Sequence, residues 1–377
     1  MRPETEDDLA RLVAGADGPL RIRGGGTRDI GRPVPGEVLE TGGLSGVTLY
    51  EPGALTLVVG AGTPLAEVEA VLAAEGQRLP FEPIDHRALL GTGGAPTIGG
   101  VVAANVSGPR RISVGAARDF CLGVRFVDGT GTVVKAGGRV MKNVTGYDLV
   151  RLMAGSWGTL GVLTEVSLKV LARPVTEATL VRRGLSAAEG VGALSTALTS
   201  PYDVTGAAHL GPGQETRVRI EGLSGSVDYR TGRLADLLGG GWEVVRDAES
   251  AALWEEVRDL RPFAARAGAV WRVSVRPSKG PGLTAALEAA GLSHEAIYDW
   301  GGGLVWLLTE DTGDAGAATI RAEVARRGGH ATLVRASEET RAAVPVFQPQ
   351  AEGVAALSRA LRQRFDPRGI LNPGLMS

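Results

Sequence analysis

Five glycine-rich segments before residue 165 constrain this chain more than any other feature of its sequence. They are RGGGTRDIG (23–31), VVGAGT (58–63), GTGGAPTIGG (91–100), DGTGTVVKAGG (128–138) and AGSWGTLG (154–161). Glycine permits positive φ angles and lets the backbone approach a ligand closely. A single segment of this kind is most simply a turn, but five in one stretch indicate a ligand site lined by backbone.

Composition narrows the class of protein. A chain of 377 residues with 44% apolar residues has enough material for two domains. The net charge of −2 argues against binding to nucleic acid, which needs a surplus of Lys and Arg. The lone cysteine, Cys121, has no disulfide partner within the chain, and no apolar run reaches membrane-spanning length. We therefore expect a cytoplasmic protein.

The first 172 residues read as one α/β domain. A cap at Thr5 opens a helix, and strands are predicted at 20–23 and 55–62. Thr63-Pro64 is predicted to be the cap and first residue of a second helix. A hairpin follows around DGTG, and the strict alternation after Gly161 predicts a strand that ends before Arg173-Pro174.

The middle region, 173–345, contains an internal repeat in the order of its predicted elements. Strand, helix, strand, strand, helix, strand is read over about 176–246 and again over about 270–335. Two such βαββαβ units are ferredoxin-like modules. Placed side by side they would form one antiparallel sheet with helices on one face. Residues 346–377 are predicted to form a helix and a turn-rich tail.

The glycine segments do not fit the common nucleotide-binding motifs. Gly60-x-Gly62 follows a strand, but Leu65 replaces the third glycine of a Rossmann loop, and no P-loop motif occurs. RIRGGGT is different, because a strand followed by three glycines exposes consecutive N–H groups that can hold a pyrophosphate. Arg23 or Arg28 would add positive charge.

Further motifs accompany the glycine segments in a fixed order. They are Arg-Gly-Gly-Gly-Thr (23–27), Thr-Ile-Gly-Gly (97–100), Asn-Val-Ser-Gly (105–108), Arg-Asp (118–119), Val-Asp-Gly (127–129), Lys-Asn-x-Thr-Gly-Tyr-Asp (142–148), Gly-Thr-Leu-Gly-Val (158–162) and FDPRGILNPG (365–374). This series resembles the PCMH-type FAD-binding domain of the vanillyl-alcohol oxidase family. The resemblance implies an α+β fold. It would comprise an FAD-binding domain of two α/β subdomains (1–172), an antiparallel-sheet cap domain (173–345), and a C-terminal helix and tail (346–377) that return to the FAD-binding domain.

Longer stretches are similar to the FAD-binding subunit family of glycolate oxidase, namely SGPRR (107–111), residues 137–171, VWRVSV (270–275) and HATLVR (330–335). That resemblance implies an FAD-dependent oxidoreductase of CH–OH donors that works in a multi-subunit complex on a 2-hydroxy acid. The implied partners are a larger FAD-containing subunit and an iron–sulfur subunit. Membrane association would come through those partners.

The resemblance also implies a set of FAD contacts. Gly24, Gly25, Gly26 and Thr27, with Arg23 beside them, would wrap the pyrophosphate. The flavin and ribityl chain would be lined by Thr97, Gly99, Gly100, Asn105 and Gly108. Gly161 and Val162 would meet the adenine end, and Asn372 would approach from the tail.

Two departures from the family pattern bear on chemistry. Thr27 stands where covalent relatives carry the flavin-linked histidine, so we expect non-covalent FAD. The run of metal-binding histidines found in the catalytic hydroxyacid branch does not occur. The four histidines are scattered at His86, His209, His294 and His330, so we expect no metal. Catalytic residues therefore stay unassigned. The candidates for binding an anion are Arg110, Arg111 and Arg272.

Three functions are compatible with the sequence. The first is an FAD-binding, electron-transferring subunit of a glycolate-oxidising complex. The second is a free-standing FAD-dependent oxidoreductase of another alcohol or hydroxy acid. The third is a non-catalytic scaffold subunit that has lost FAD.

Overall fold

The computed structural model describes residues 1–140 and 146–376. It divides into two compact units, the first of residues 1–107, 115–173 and 349–377, and the second of residues 108–114 and 174–348. The expected boundaries at 172/173 and 345/346 fall close to these divisions. The segment 108–114 differs, because it groups with the second unit. Residues 142–145 of the predicted Lys-Asn-x-Thr-Gly-Tyr-Asp motif lie outside the described residues.

Residues 1–173 contain these elements in chain order: α1 (Glu6–Ala14), β1 (Leu20–Arg23), β2 (Glu37–Glu40), β3 (Val47–Glu51), β4 (Thr56–Gly60), α2 (Leu65–Ala74), β5 (Gln77–Arg78), α3 (Arg87–Leu90), α4 (Ile98–Ala103), α5 (Arg111–Val114), α6 (Ala117–Phe120), β6 (Cys121–Val127), β7 (Val133–Gly137), α7 (Leu149–Met153), β8 (Val162–Lys169) and β9 (Leu171–Ala172). Strands β3-β4-β8-β6-β7 form a five-stranded antiparallel sheet, and β1 pairs with β2 in parallel.

The sequence signals at the start of the first unit acted as expected, with one exception. Thr5 caps α1 by accepting a hydrogen bond from the Asp8 amide (3.1 Å). Helix α2 begins at Leu65 with Pro64 as its N-cap, so the prediction that Thr63 caps it is wrong. The Thr63 hydroxyl instead accepts from the Gly46 amide (2.9 Å) and donates to the Gly60 carbonyl (2.7 Å). Thr63 thus ties the end of β4 to a neighbouring loop.

The remaining residues contain these elements: β10 (Thr176–Arg183), α8 (Ala187–Leu198), β11 (Val204–Leu210), β12 (Glu215–Gly222), α9 (Ser224–Leu238), β13 (Glu243–Arg246), α10 (Asp247–Arg258), α11 (Arg261–Ala264), β14 (Ala269–Ser274), α12 (Gly280–Ala289), β15 (His294–Asp299), β16 (Leu304–Thr309), α13 (Ala317–Arg326), β17 (His330–Arg335), α14 (Glu338–Ala343) and α15 (Glu352–Phe365).

The predicted repeat is confirmed by the sheet of the second unit. Its eight strands run in the order β13-β10-β12-β11-β15-β16-β14-β17, and every neighbouring pair is antiparallel. The first repeat comprises β10 to β13 with α8 and α9, and the second comprises β14 to β17 with α12 and α13. The two repeats meet through their second strands, where His209 pairs with Tyr298 and Leu210 with Ile297.

The two faces of this sheet carry different elements. In the first repeat, alternate strand residues such as Ala178 and Leu180 join Leu194 of α8 and Val227 of α9 in one buried cluster. The residue between them, Thr179, points to the other face and bonds Ser250 and Trp254 of α10. The expectation that helices cover only one face is therefore corrected. Helix α10, which lies between the repeats in sequence, packs on the opposite face.

The tail completes the first unit. Leu371 forms a parallel bridge with Leu20 of β1. The Asp366 carboxylate accepts the Ile370 and Leu371 amides, and Arg368 donates to carbonyls at the C-terminal end of α1. Helix α15, just before the tail, has no buried residue. In the described part of the chain, no helix is both long and apolar enough to cross a bilayer.

Candidate functional site

A cavity of about 260 Å³ opens in the first unit beside the end of β1. Three parts of the chain meet around it: the triple-glycine loop, the turn that leads into α4, and the C-terminal tail. Its lining residues are Arg21, Ile22, Arg23, Gly24, Gly25, Gly26, Thr27, Arg28, Asp29, Ile30, Arg32, Val34, Thr92, Thr97, Gly100, Ala104, Trp157, Asn372 and Leu375.

The triple-glycine loop has room for glycine alone at two of its positions. A Cβ at Gly25 would lie 1.5 Å from the carbonyl oxygen of Ala95, and Gly26 has φ +68°. Thr97 packs against the same loop and caps α4, since its Oγ1 accepts from the Gly100 amide (3.2 Å). The loop backbone is therefore held so close to the turn before α4 that a side chain at Gly25 would not fit.

The lining is rich in positive charge. Four arginines, at positions 21, 23, 28 and 32, are accompanied by one carboxylate, Asp29, which pairs with Arg21 (3.2 Å). Arg28 is the innermost of these cations. Its Nη2 donates to the Ile84 carbonyl (3.4 Å), and its buried Nε has no hydrogen-bond partner among the described residues. Burial lowers the pKa of Arg28 to about 10, although Asp85 acts in the opposite direction.

This lining fits the pyrophosphate of FAD. A pyrophosphate needs convergent N–H donors and positive charge, and the loop supplies a backbone without side chains beside a guanidinium with an unused N–H. An enclosed cation that lacks a full set of hydrogen bonds is unfavourable by itself. A bound phosphate group would remove that penalty.

Eight of the thirteen residues expected at FAD line this cavity: Arg23, Gly24, Gly25, Gly26, Thr27, Thr97, Gly100 and Asn372. The structure thus brings together segments that are more than 270 residues apart in the sequence. The sequence motifs did not include the other polar lining residues, Arg21, Asp29, Arg32 and Thr92. The signal that could have indicated them is the arginines that flank the three glycines on both sides, at positions 21, 23, 28 and 32.

Asn372 lines the cavity, but its amide already bonds to protein. Its Oδ1 accepts from the Ile22 amide (2.8 Å) and its Nδ2 donates to the Trp157 carbonyl (2.8 Å). The residue has φ +42° and is 5% exposed. Asn372 therefore locks the tail between β1 and the loop at Trp157, and so shapes the cavity wall.

The other five expected residues lie elsewhere. Gly99 and Gly161 are packing glycines, since a Cβ would lie 2.6 Å from the Ala61 oxygen and from the Phe126 ring respectively. Val162 is a buried residue of β8. Asn105 accepts the Arg118 amide (3.0 Å), and Gly108 belongs to the second unit.

The cysteine and the histidines have structural surroundings. Burial raises the pKa of Cys121 to about 12, so its thiol is not a nucleophile at neutral pH. His209 is buried and its Nδ1 contacts the Thr216 hydroxyl (2.9 Å). Among residues 1–140 and 146–376, no group of three or more His, Cys, Asp or Glu side chains is arranged to hold a metal ion.

Comparison with known proteins agrees with this geometry. A family model described as an FAD binding domain matches residues 1–137. The glycolate oxidase subunit GlcE of Escherichia coli is 37% identical over 362 residues, which are 95% of this chain and 92% of that protein. The chain belongs to this subunit family. The FAD-dependent oxidoreductase that the sequence motifs indicated is thereby confirmed.

Two other similarities support the fold and the flavin domain. The glycolate oxidase subunit GlcD of Bacillus subtilis is 30% identical over 187 residues, which are 48% of this chain and 38% of that protein. A solved structure of alkyldihydroxyacetonephosphate synthase has a TM-score of 0.70 at 18% identity, over 99% of this chain and 76% of that chain. The expected α+β fold, an FAD-binding domain with an antiparallel-sheet cap domain, is confirmed.

Proposed function

We propose that this chain is the FAD-binding subunit of a complex that oxidises glycolate, and that it transfers electrons within that complex. The 37% identity to a glycolate oxidase subunit along almost the whole chain carries the proposal. The cavity supports it independently, because its lining fits an anionic cofactor.

In this proposal FAD is held without a covalent bond. The backbone amides of Gly24 to Thr27 bind the pyrophosphate, and Arg28 neutralises part of its charge. The remaining expected contacts from Thr97 to Val162 stay part of the proposal. When bound, FAD supplies a redox centre that accepts and passes on electrons. The protein residues position it and exclude water from the loop.

Catalysis of glycolate oxidation is assigned to the complex and not to this chain alone. Oxidation of a 2-hydroxy acid needs a base for the hydroxyl proton, and a metal is held by histidines in related catalytic proteins. The described residues contain no such histidine group. The proposed partners are a larger flavin-containing subunit and an iron–sulfur subunit. We also infer a cytoplasmic location, with any membrane association made by the partners.

The complex is tested by expressing the chain alone and together with its partner subunits. We expect the co-purified complex to oxidise glycolate with an artificial electron acceptor and the chain alone to be inactive. Rapid turnover by the chain alone would instead identify a free-standing oxidoreductase. Full activity of a complex that lacks this chain would contradict the proposal.

The FAD site is tested by paired glycine variants. Gly25→Ala places a methyl group on the Ala95 carbonyl, so the purified variant should lack flavin absorbance. Gly93→Ala is the matched control, because Gly93 lies in the neighbouring loop with no atom within 4 Å of its Cβ position. A colourless wild-type protein that cannot be reconstituted with FAD would favour the scaffold function.

A charge variant separates loss of FAD from loss of folding. Arg28→Gln should weaken FAD binding about 10- to 100-fold, because a charged hydrogen bond to phosphate is lost. Arg11→Gln, at an exposed arginine that pairs with Asp8, should leave binding unchanged. Titration of the apoprotein with FAD gives both affinities. Equal affinities would remove Arg28 from the site.

A further inference from the structure

The second unit contains an unusual cluster of positive charge on the sheet face opposite to α13. Arg272 of β14 pairs across the sheet with Trp306 of β16 and Thr332 of β17. Its neighbour Trp271 points the other way, where it donates to the Ala315 carbonyl (2.9 Å) and contacts Arg321 of α13. Because side chains alternate along a strand, Arg272 projects from the opposite face.

Two guanidinium groups share one tryptophan there. The Cζ atoms of Arg111 and Arg272 lie 4.6 Å and 5.2 Å from the centre of the Trp300 ring. Arg272 also lies 6.0 Å from the Trp306 ring. Trp300 is fixed, since its Nε1 donates to the Gly108 carbonyl (3.1 Å) and its amide donates to the Asp299 carboxylate (2.7 Å). All of these residues belong to the second unit.

Arg272 has no hydrogen bond and no ion pair with any described residue. Aromatic rings attract a guanidinium, but they leave its N–H groups unused. Burial and the charge of Arg111 lower the pKa of Arg272 to about 10, against the opposing effect of Asp299. The pKa of His330 is lowered by burial and by the same two arginines. Arg272 is therefore a largely enclosed cation whose N–H groups no described residue uses.

We propose that Arg272 and Arg111, above the Trp300 ring, bind the carboxylate of a small 2-hydroxy or 2-oxo acid. This assignment rests on the proposed function for the choice of acid. The planar guanidinium matches a carboxylate, and the tryptophan rings provide an apolar wall for a short carbon chain. The apolar tryptophan rings favour a small organic acid over inorganic phosphate.

Isothermal titration of the full chain tests the proposal. The titrants are glycolate, glyoxylate, inorganic phosphate and glycolamide, which has the shape of glycolate without its charge. Glycolate or glyoxylate should bind at least about 10-fold more tightly than glycolamide. Whichever of the two acids has the higher affinity shows whether the site holds the substrate or the product. Absence of binding by both acids, or equal binding of glycolamide or phosphate, would overturn the proposal.

Variants assign the binding to Arg272. Arg272→Gln should weaken carboxylate binding about 10- to 100-fold. Arg272→Lys keeps the charge but loses the planar fork, so its affinity should lie between those of the wild type and Arg272→Gln. Arg276→Gln is the matched control at an exposed arginine beyond the end of the same strand. Circular dichroism and bound FAD establish that each variant is folded. Unchanged affinity in folded Arg272→Gln protein would contradict the assignment.

The two proposals fail in distinguishable ways. If the chain binds carboxylates through Arg272 but its complex does not oxidise glycolate, the proposed function is wrong and the anion site stands. If the complex oxidises glycolate and Arg272→Gln has no effect on binding, only the anion site is wrong.

Discussion

The two ferredoxin-like repeats of the second unit have the same topology, but the surroundings of their buried arginines differ. Beside the first repeat, Arg110 makes a two-pronged ion pair with Glu221 (2.9 and 2.6 Å), and Arg219 lies 3.7 Å from the same carboxylate. In the second repeat, Arg272 meets two aromatic rings and a second arginine.

The difference separates a structural charge from one that is available to a ligand. Arg110 and Glu221 are each less than 10% exposed, and their bidentate geometry satisfies both groups. Such a pair fixes the segment 108–114 against β12. Arg272 occupies the same sheet face in the other repeat and makes no ion pair with any described residue. Two predictions test this contrast directly, and a third compares the strands at which the two repeats meet.

The largest effect is expected at Glu221. Glu221→Gln removes the buried carboxylate that faces Arg110 and Arg219, so the free energy of unfolding should fall by about 3 to 5 kcal/mol. Urea denaturation followed by tryptophan fluorescence measures it. Glu295→Gln is the control, because the Arg266–Glu295 pair is exposed and should change stability by less than about 1 kcal/mol. Equal effects would erase the distinction between buried and exposed pairs.

A slightly smaller effect concerns the strands where the repeats meet. Burial lowers the pKa of His209 to about 4, whereas histidine in an unfolded chain titrates near about 6.5. The unfolded state therefore takes up a proton first as the pH falls, and about 3 kcal/mol of stability should be lost between about pH 6.5 and 4. The stability is fully present above that range.

Paired histidine variants isolate this contribution. His209→Gln removes the titrating group and should flatten the pH dependence of the unfolding free energy by that amount. His294→Gln, on the equivalent strand β15 of the second repeat, is the matched control. An unchanged slope in His209→Gln protein would show that another group causes the acid loss.

The smallest effect is expected at Arg272. Arg272→Met should change the free energy of unfolding by less than about 1 kcal/mol, because lost ring stacking is offset by removal of a poorly compensated charge. Arg110→Met should lower it by about 3 kcal/mol, because Glu221 loses its main partner. Thermal and urea unfolding of both variants give the comparison. Similar losses would mean that Arg272 is as structural as Arg110.

Much of the fold could be predicted because local signals repeat. The alternation in β8, the Thr5 cap and the order of elements in both repeats depend on residues close in sequence. Helix α10 was missed, since its buried face combines the polar Ser250 with Trp254 and Val257 and is not a simple apolar stripe. Its position on the second face depends on a buried contact between Ser250 and Thr179. These residues are far apart in the sequence, so the hydrophobic pattern does not indicate the contact.

The candidate cavity could be predicted only in part. Glycines mark where a backbone must come close, and this located the loop at 24–26 and the turn before α4. Side-chain roles depend on distant partners. Asn372 is bonded to Ile22 and Trp157, whereas Arg272 makes no ion pair with any described residue. Neither fact is visible in the spacing of residues.

The docked tail also has a consequence for how the chain is made. Residues 366–372 bond to α1, β1 and the loop at Trp157, so the first unit needs segments from both sides of the second unit in the sequence. During synthesis the N-terminal residues leave the ribosome first but lack this closing segment. The sheet of the second unit, contained in residues 174–348, is released before it. We expect the sheet unit to fold first on the ribosome, with the cavity completed only after residues 366–372 have been synthesised and released.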